Sequence, residues 1–351
     1  MLKIKLFFYK LFNWEYWPFY IVYLPVFFQY LYYVAKTKSF FYFTTVNPTM
    51  KNGGFFMNSK KEIYDLIPNQ YIPKTLLFKS NSNIKDIIDE ITKNEISFPL
   101  IVKPDIGLRG TAVKKVNAII ELEDYLKKSN FDIIIQELIN YSNEIGLFYV
   151  KLPNSEGKIT GIVSKEFMTI KGDGKNSIKE LILQNNRFAL QLNTLEKEYG
   201  KNFLSNILTK NKTINLVPYG NHCRGTKFLD ESYKITNLLT NTFNKINSQI
   251  KGYYFGRMDI MFNNFDELET GKNFKIIEIN GAISEPTHIY DPKHNIFFAW
   301  KEVTKHFYYM YKISVNNSKN LKIKPISFYQ GFTELKRHFK HCHIIKNKTE
   351  L

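Results

Sequence analysis

The sequence predicts an α+β fold, with two subdomains built around antiparallel sheets. Three observations carry that expectation. Strand-like segments dominate from about residue 98: "FPLIVKP", "TAVKKV", "DIIIQELI", "EIGLFYVKLP" and "KITGIVSKEFMTI". Helical stretches are scattered among the strands without strict alternation, which speaks against a regular βαβ series. A chain of 351 residues, 44% hydrophobic and 23% charged, has ordinary globular composition and length enough for more than one subdomain.

The elements begin with an anomaly. Residues 1–50 are extraordinarily aromatic ("FFYKLFNWEYWPFYIVYLPVFFQYLYYVAKTKSFFYF"). From Tyr16 to Ala35 there is no charge, which is the length a membrane helix requires. Pro18 and Pro25 interrupt the stretch, and its tyrosines favour an interface over the hydrocarbon centre. Lys3, Lys5 and Lys10 flank it on one side, Lys36 and Lys38 on the other. No small-x-small cleavage site follows, so a signal peptide is not expected. Two readings stand: an interfacial helical anchor on an anionic membrane, or helices packed on the core or on a partner subunit. A spanning helix ranks third.

Asn47-Pro48 and Gly53-Gly54 read as turns. A helix then starts near Ser59, with Ser59 as its cap and Glu62 completing a capping box. "YIPKTLLF" reads as a short strand and "NIKDIIDEITKN" as an amphipathic helix. After the run of strands, a turn at Gly172-Asp173-Gly174 opens the helix "NSIKELILQNN". "TINLVP", "YFGRMDIMF" and "FKIIEIN" follow as strands, with a helix from about Glu231 to Ile250 and a last major helix from about His294 to Tyr311. The expected divisions are an aromatic segment 1–50, a linker or small subdomain 51–98, a main domain 99–310 divided at 150, and a basic extension 311–351.

Net charge is +17, which favours anionic partners such as nucleotide phosphates, acidic substrates or anionic lipid. No nucleic-acid-binding motif and no long basic block occur, so nucleic acid is not an expected partner. The two cysteines, Cys223 and Cys342, are far apart; this argues against a disulfide scaffold and suits a reducing compartment. A cytoplasmic location is expected, peripheral at the inner membrane face if residues 1–50 are an anchor. The tail "RHFKHCHIIK" gathers His338, His341, Cys342 and His343, but lacks the second ligand pair of a zinc site and reads as a basic, frayed terminus.

Three constellations carry chemistry. In "FPLIVKPDIGLRGTAV" a buried strand ends at Lys103 and turns through Gly107 and Gly110, so a fixed positive charge and close backbone approach suit a phosphate. In "IIIQELI" the strand delivers Gln136, Glu137 and Ile139, where Glu137 can accept from an exocyclic amine. Taken alone, each of these reads as ordinary structure. The third is stronger. "GRMDIMF" and "FKIIEIN" place Asp259, Glu278 and Asn280 together on apolar strands, and these oxygen donors match Mg²⁺. Glu278 and Asn280 leave one face while Ile277 and Ile279 leave the other. Arg257, two before Asp259, shares that residue's face and can stabilise charge developing on a transferred phosphoryl group.

Together, Lys103-Pro with its glycine loop, Gln136-Glu137-x-Ile139, Gly-Arg257-x-Asp259 and Glu278-x-Asn280 resemble the ATP-grasp superfamily over about residues 59–310. The Gly-Arg-x-Asp and Glu-x-Asn strands look like those of D-alanine–D-alanine ligases. "GDGKNSIKELI" and "GNHCRGTKF" look more like the cyanophycin synthetase and glutathione-ligase branch. The resemblance implies ATP sandwiched between two antiparallel sheets, with the loop 105–111 closing over its phosphates. It implies that Lys103 contacts phosphates, that Glu137 and the Ile139 backbone hold adenine beside Gln136, and that Glu144 reaches the ribose. Asp259, Glu278 and Asn280 would coordinate two Mg²⁺, with Mn²⁺ as a substitute, and Arg257 would stabilise formation of an acyl phosphate. Lys60 is the choice for a second phosphate lysine and Lys61 the alternative.

The chain also departs from that pattern. After Asn280 the ligases of peptidoglycan synthesis continue Ser-Pro-Gly-Met-Thr, whereas this chain has "GAISEPTHIYDP". Glu285, His288, Tyr290 and Asp291 are therefore expected at a different acceptor pocket. His222, Arg224 and Lys227 lie on a loop before the Arg257 strand, with Arg224 suited to a substrate carboxylate. His288 reads equally as a general base or a structural histidine. The expected activity is ATP-dependent joining of a small-molecule or peptide carboxylate to an amine or thiol, in a monomer or a homo-oligomer. A phosphotransferase and a non-catalytic membrane-associated nucleotide binder are the alternatives.

Overall fold

The computed structural model describes residues 2–107, 110–217 and 225–348. Three helices open the chain: α1 (Leu2–Phe12), α2 (Phe19–Val22) and α3 (Leu24–Thr37). The next elements are α4 (Lys60–Tyr64), β1 (Thr75–Phe78), α5 (Ile84–Lys93), β2 (Leu100–Pro104), β3 (Lys114–Val116), α6 (Ile119–Lys128) and β4 (Ile133–Glu137). Their strands form a four-stranded antiparallel sheet, order β1-β4-β2-β3. Ser59 caps α4 by accepting the Glu62 N–H, and its own hydroxyl donates to Asp105 at 2.9 Å.

The larger part contains β5 (Asn143–Lys151), β6 (Gly157–Glu166), β7 (Met168–Lys171), α7 (Ile178–Gln184), α8 (Asn186–Ala189), α9 (Leu192–Ser205), β8 (Thr213–Val217), β9 (Lys227–Asp230), α10 (Asn237–Ser248), β10 (Phe255–Phe262), α11 (Phe265–Glu269) and β11 (Phe274–Asn280). Its main sheet is antiparallel in the order β11-β10-β5-β6-β9, with β7 and β8 paired apart. Two helices close the chain, α12 (Ile296–Asn320) and α13 (Phe328–Lys348). The fold is α+β with antiparallel sheets.

The five-stranded sheet buries one face on α10, where Leu147, Met258 and Ile260 meet Leu239 and Phe243. Part of its other face is covered by the aromatic N-terminal segment. Tyr42, Phe43 and Val46 pack with Phe148, Val150 and Phe255 of the sheet and Met310 and Ile313 of α12. Asn47 is fully enclosed. It donates to the carbonyls of Gly53 and Phe255 and accepts the N–H groups of Tyr254 and Phe255, so the segment is fastened to the start of β10. Residues 1–50 therefore pack on the core through their inner side. Among the described residues no helix is long and apolar enough to cross a membrane.

Several elements differ from expectation. Helix α6 was not foreseen; Ala118 at its start offers no side-chain cap, and the helix is held by burial of Leu122 and Tyr125. "KITGIVSKEFMTI" is two strands, because β7 leaves the main sheet to pair with β8. The helix expected from Glu231 starts at Asn237, where the Thr236 hydroxyl accepts the Leu239 N–H. Strand β9 was missed. Helix α12 continues to Asn320, because Met310 and Ile313 are buried and Asn317 donates to the carbonyls of Thr45 and Val46. The tail is not frayed: α13 returns to the core, with Ile345 buried in the four-stranded subdomain and the His338 ring accepting the Met57 N–H at 3.3 Å.

Candidate functional site

Strands β10 and β11 bring the strongest sequence motif together. In their antiparallel register Asp259 lies opposite Glu278, and Arg257 lies opposite Asn280. Opposed residues share a face, so four polar side chains occupy one patch. The intervening Met258 and Ile279 point into the α10 core. The register shifts between Asp259 and Ile260, so Ile260 pairs with Ile276. This bulge corrects one expectation: Ile276, not Ile277, joins Ile279 in the core. Ile277 instead turns its carbonyl to the Tyr64 hydroxyl and, at 3.4 Å, to Lys103 Nζ.

Arg257 grips Asp259 with two prongs, Nε to Oδ1 at 2.8 Å and Nη2 to Oδ2 at 3.1 Å. Room for this pair comes from Gly146 on β5. A Cβ there would stand 3.0 Å from Arg257 Cδ and 3.2 Å from Asp259 Oδ1. Gly256 has a similar duty, since a Cβ would come within 2.0 Å of the Asn280 carbonyl oxygen. Lys165 on β6 completes the row. It donates to Glu144, and its Nζ lies 4.0 Å from Asp259. Burial works to raise the Asp259 pKa, but Arg257 and Lys165 outweigh it and hold the carboxyl below the usual range. Burial likewise works against the Lys165 charge, yet Asp259 and Glu144 keep that ammonium above the ordinary lysine value.

The four-stranded sheet faces this patch with Lys103. Its Nζ donates to the Tyr64 hydroxyl and to Gln136 Oε1, both at 3.0 Å, and Gln136 is steadied by donating to Thr75 at 2.8 Å. Lys60 reaches inward and donates to the carbonyls of Pro104, Asp105 and Gly107 at 3.2 to 3.3 Å. Burial pulls its pKa down, opposed by the neighbouring Glu278 carboxylate. Lys61 is paired with Asp65 on the outside. Lys60, Gly107, Glu278, Asn280 and His338 line a cavity of about 40 Å³. A second cavity of about 220 Å³ is lined by Glu144, Ile145, Lys165, Phe167 and Phe262.

The remaining candidates fall around this cleft in different ways. Glu137 accepts the Lys74 N–H at 2.9 Å, and Ile139 is half-buried on the connection from β4 to β5. Gly110 adopts a φ of +71° with open space about it, while Gly107 sits against Pro104 and Ile345. Glu285 accepts from both Tyr23 and Tyr290. His288 is enclosed, packed on Gly161 and 3.6 Å from the Glu302 carboxylate. Asp291 accepts the N–H groups of Asp230 and Lys293, so it ties β9 to the turn after β11. Lys227 lies at the sheet edge, 3.4 Å from Glu166. His222 and Arg224, with Cys223, lie outside the described residues.

Several participants escaped the sequence reading. Lys165 was passed over as part of a strand; its signal is a lone cation two positions after Val163, facing the Asp259 side. Tyr64 gave no local sign, and the aromatic character of the N-terminal segment gave no sign of its place beside Glu285 and Tyr290. Trp14 stacks on Tyr290 with ring centres 5.5 Å apart and donates to the His294 carbonyl. Glu15 pairs with Arg187 of α8.

Among the described residues there is no group of three or more His, Cys, Asp or Glu side chains arranged to hold a metal. Asp259, Glu278 and Asn280 supply two carboxylates and an amide oxygen, a hard-donor set that fits Mg²⁺ when phosphate oxygens complete its shell.

No protein-family profile matches the chain. No curated protein matches it in sequence. Among solved structures it is similar to the VanG D-Ala:D-Ser ligase of Enterococcus faecalis, at 15% identity and a TM-score of 0.42, covering 72% of this chain and 61% of that one. It is also similar to a D-alanine–D-alanine ligase of Bacillus anthracis, at 16% and 0.42, covering 75% and 68%. A bifunctional glutathione synthetase of Pasteurella multocida aligns at 13% and 0.39, covering 72% of this chain and 35% of that one. The chain thus spans about three fifths of the first ligase and about a third of the synthetase.

Proposed function

We propose that this chain is an ATP- and Mg²⁺-dependent ligase that joins a carboxylate to an amine or thiol through an acyl phosphate, releasing ADP and phosphate. The observation that carries the reading is the cross-strand set Arg257–Asp259 opposite Asn280 and Glu278, faced by Lys103 from the other sheet. A binding scaffold has no need for an arginine aimed along a buried carboxylate row.

In this reading Lys103 and Lys60 hold the nucleotide phosphates, and Glu137 and Ile139 face the base, with Glu144 toward the ribose. Asp259, Glu278 and Asn280 are the residues that would hold Mg²⁺, whose chemistry is to neutralise phosphate oxygens. Arg257, poised beside Asp259, stabilises the negative charge that builds as the γ-phosphoryl moves to the substrate carboxylate. The amine then attacks the acyl carbon, the C–O bond to phosphate breaks, and the amine loses its proton. Glu285 and Tyr290 border the acceptor end, with Lys227 at the start of β9 and, just before it in sequence, His222 and Arg224 as substrate contacts.

The test is an ADP-release screen with ATP and Mg²⁺, offering amino acids, dipeptides and aromatic or fatty acids as donor and acceptor. An amide with free phosphate supports the ligase. A stable phosphoester turns the reading to a phosphotransferase, and ATP binding without ADP from any pair overturns both.

A further inference from the structure

We propose that helices α1 to α3 form a docking face for an anionic lipid surface. Helix α3 is packed on one side only. There Val26 and Tyr33 are buried, Gln29 donates to the Thr304 carbonyl, and Tyr33 stacks on Tyr311 at 4.2 Å. Its opposite side presents Leu24, Phe27, Phe28, Leu31 and Tyr32, exposed by 54, 53, 64, 39 and 56%. Their spacing, i, i+3, i+4, i+7 and i+8, is an apolar helical stripe of the kind that normally faces a core. Here it faces outward.

The neighbouring helices extend the same character. Phe19, Tyr20 and Ile21 of α2 are exposed, and α1 buries none of its eleven residues although it carries Phe7, Phe8 and Phe12. Exposed apolar surface of this size marks an interaction face.

Charge identifies the occupant. Through residue 50 the chain carries five lysines, Lys3, Lys5, Lys10, Lys36 and Lys38, all exposed, and a single acid, Glu15. Glu15 is removed from the surface by its pairing with Arg187, with only 5% of its side chain exposed. The face is therefore apolar, aromatic and of one sign. A second copy meeting it about a two-fold axis would set these lysines against their own equivalents, which is repulsive. A bilayer with anionic headgroups satisfies both parts: the rings enter the interfacial layer and the lysines stay with phosphates. The helices are too short and too interrupted to cross, so the protein lies on the surface.

The experiment is flotation of the full chain with vesicles of phosphatidylcholine alone and of phosphatidylcholine mixed with phosphatidylglycerol. Binding is expected to the mixed vesicles, weaker to the neutral ones, and to fall with added salt. Phe27→Ser with Phe28→Ser removes exposed rings only, so the thermal midpoint should hold while affinity drops about tenfold or more. Lys36→Glu with Lys38→Glu should cost the preference for anionic vesicles, about fivefold per lysine. Absence of flotation, or flotation unchanged in both paired variants, overturns the proposal. So does a concentration-dependent dimer, seen by light scattering without vesicle binding and abolished by the Phe27 and Phe28 pair, which would assign the face to a second copy.

Discussion

One face of the five-stranded sheet is filled in two ways. Across β6, β5, β10 and β11 it carries a polar row, with Lys165, Glu144, Asp259, Arg257, Glu278 and Asn280. Farther along the same strands β5 and β10, Phe148, Val150 and Phe255 lie under Tyr42, Val46 and Met310. Both halves are largely screened from water, yet their energetics differ. The aromatic half gains from area removed from solvent and from edge-to-face rings, as between Phe148 and Phe255 at 5.1 Å. The polar half loses hydration of every charge and recovers it only through alternating signs along the row. The aromatic half is therefore filled for stability, while the polar half holds charges whose partners can be exchanged for a ligand.

The largest expected effect breaks the polar half. Arg257→Ala should cut turnover by about a thousandfold or more while ATP still binds. It should also leave Asp259 buried beside only Lys165, costing about 3–5 kcal/mol of stability. ADP release, nucleotide titration and thermal melts read the three parts separately; unchanged ADP release with the correct substrates would sink the role. In the aromatic half, Phe255→Ala should cost about 3–5 kcal/mol in denaturant unfolding without loss of nucleotide affinity. A loss of affinity there would show that the two halves are coupled.

The smallest effect is a pH dependence at their rear boundary. His306 lies against Phe148 and Phe255, and its pKa is pushed from 6.5 down to about 3, chiefly by burial, with His288 and Lys305 adding to the shift. Thr160 bonds its Nε2 at 2.8 Å, and the Glu302 carbonyl, with a carboxylate lowered to about 2, stands by the ring. The folded-state pKa is below the unfolded one. The stabilisation is thus complete above about pH 6.5 and is lost as pH falls toward 3, at up to roughly 1.4 kcal/mol per unit. Unfolding free energies at pH 7 and 5 should differ less in His306→Gln than in the unchanged protein. Equal slopes would remove His306 as the source.

The candidate site was legible where local pattern suffices. A charged residue in an apolar strand is a strong signal because burial penalises it, and "GRMD" with "EIN" therefore pointed to β10 and β11 and to a shared face. The helix cap at Ser59 was equally local, a side chain answering a backbone N–H three residues on. What escaped was non-local. The bulge that turns Ile277 out of the core depends on the register between two strands, and α6 has no capping residue to announce it. Lys165 gains its place from Glu144 and Asp259 on other strands.

The sequence by itself determined the strand and helix inventory over most of the chain, the paired acids and the arginine beside them, and the aromatic, basic character of residues 1–50. Only the tertiary structure decided that Arg257 grips Asp259 in a space left by Gly146, and that α13 folds back to bury Ile345. It also decided that the aromatic segment is divided, with an inner side in the core and an outer stripe left bare. Composition counts apolar residues but not which neighbours reach them, and burial is settled only when distant segments compete for the same surface.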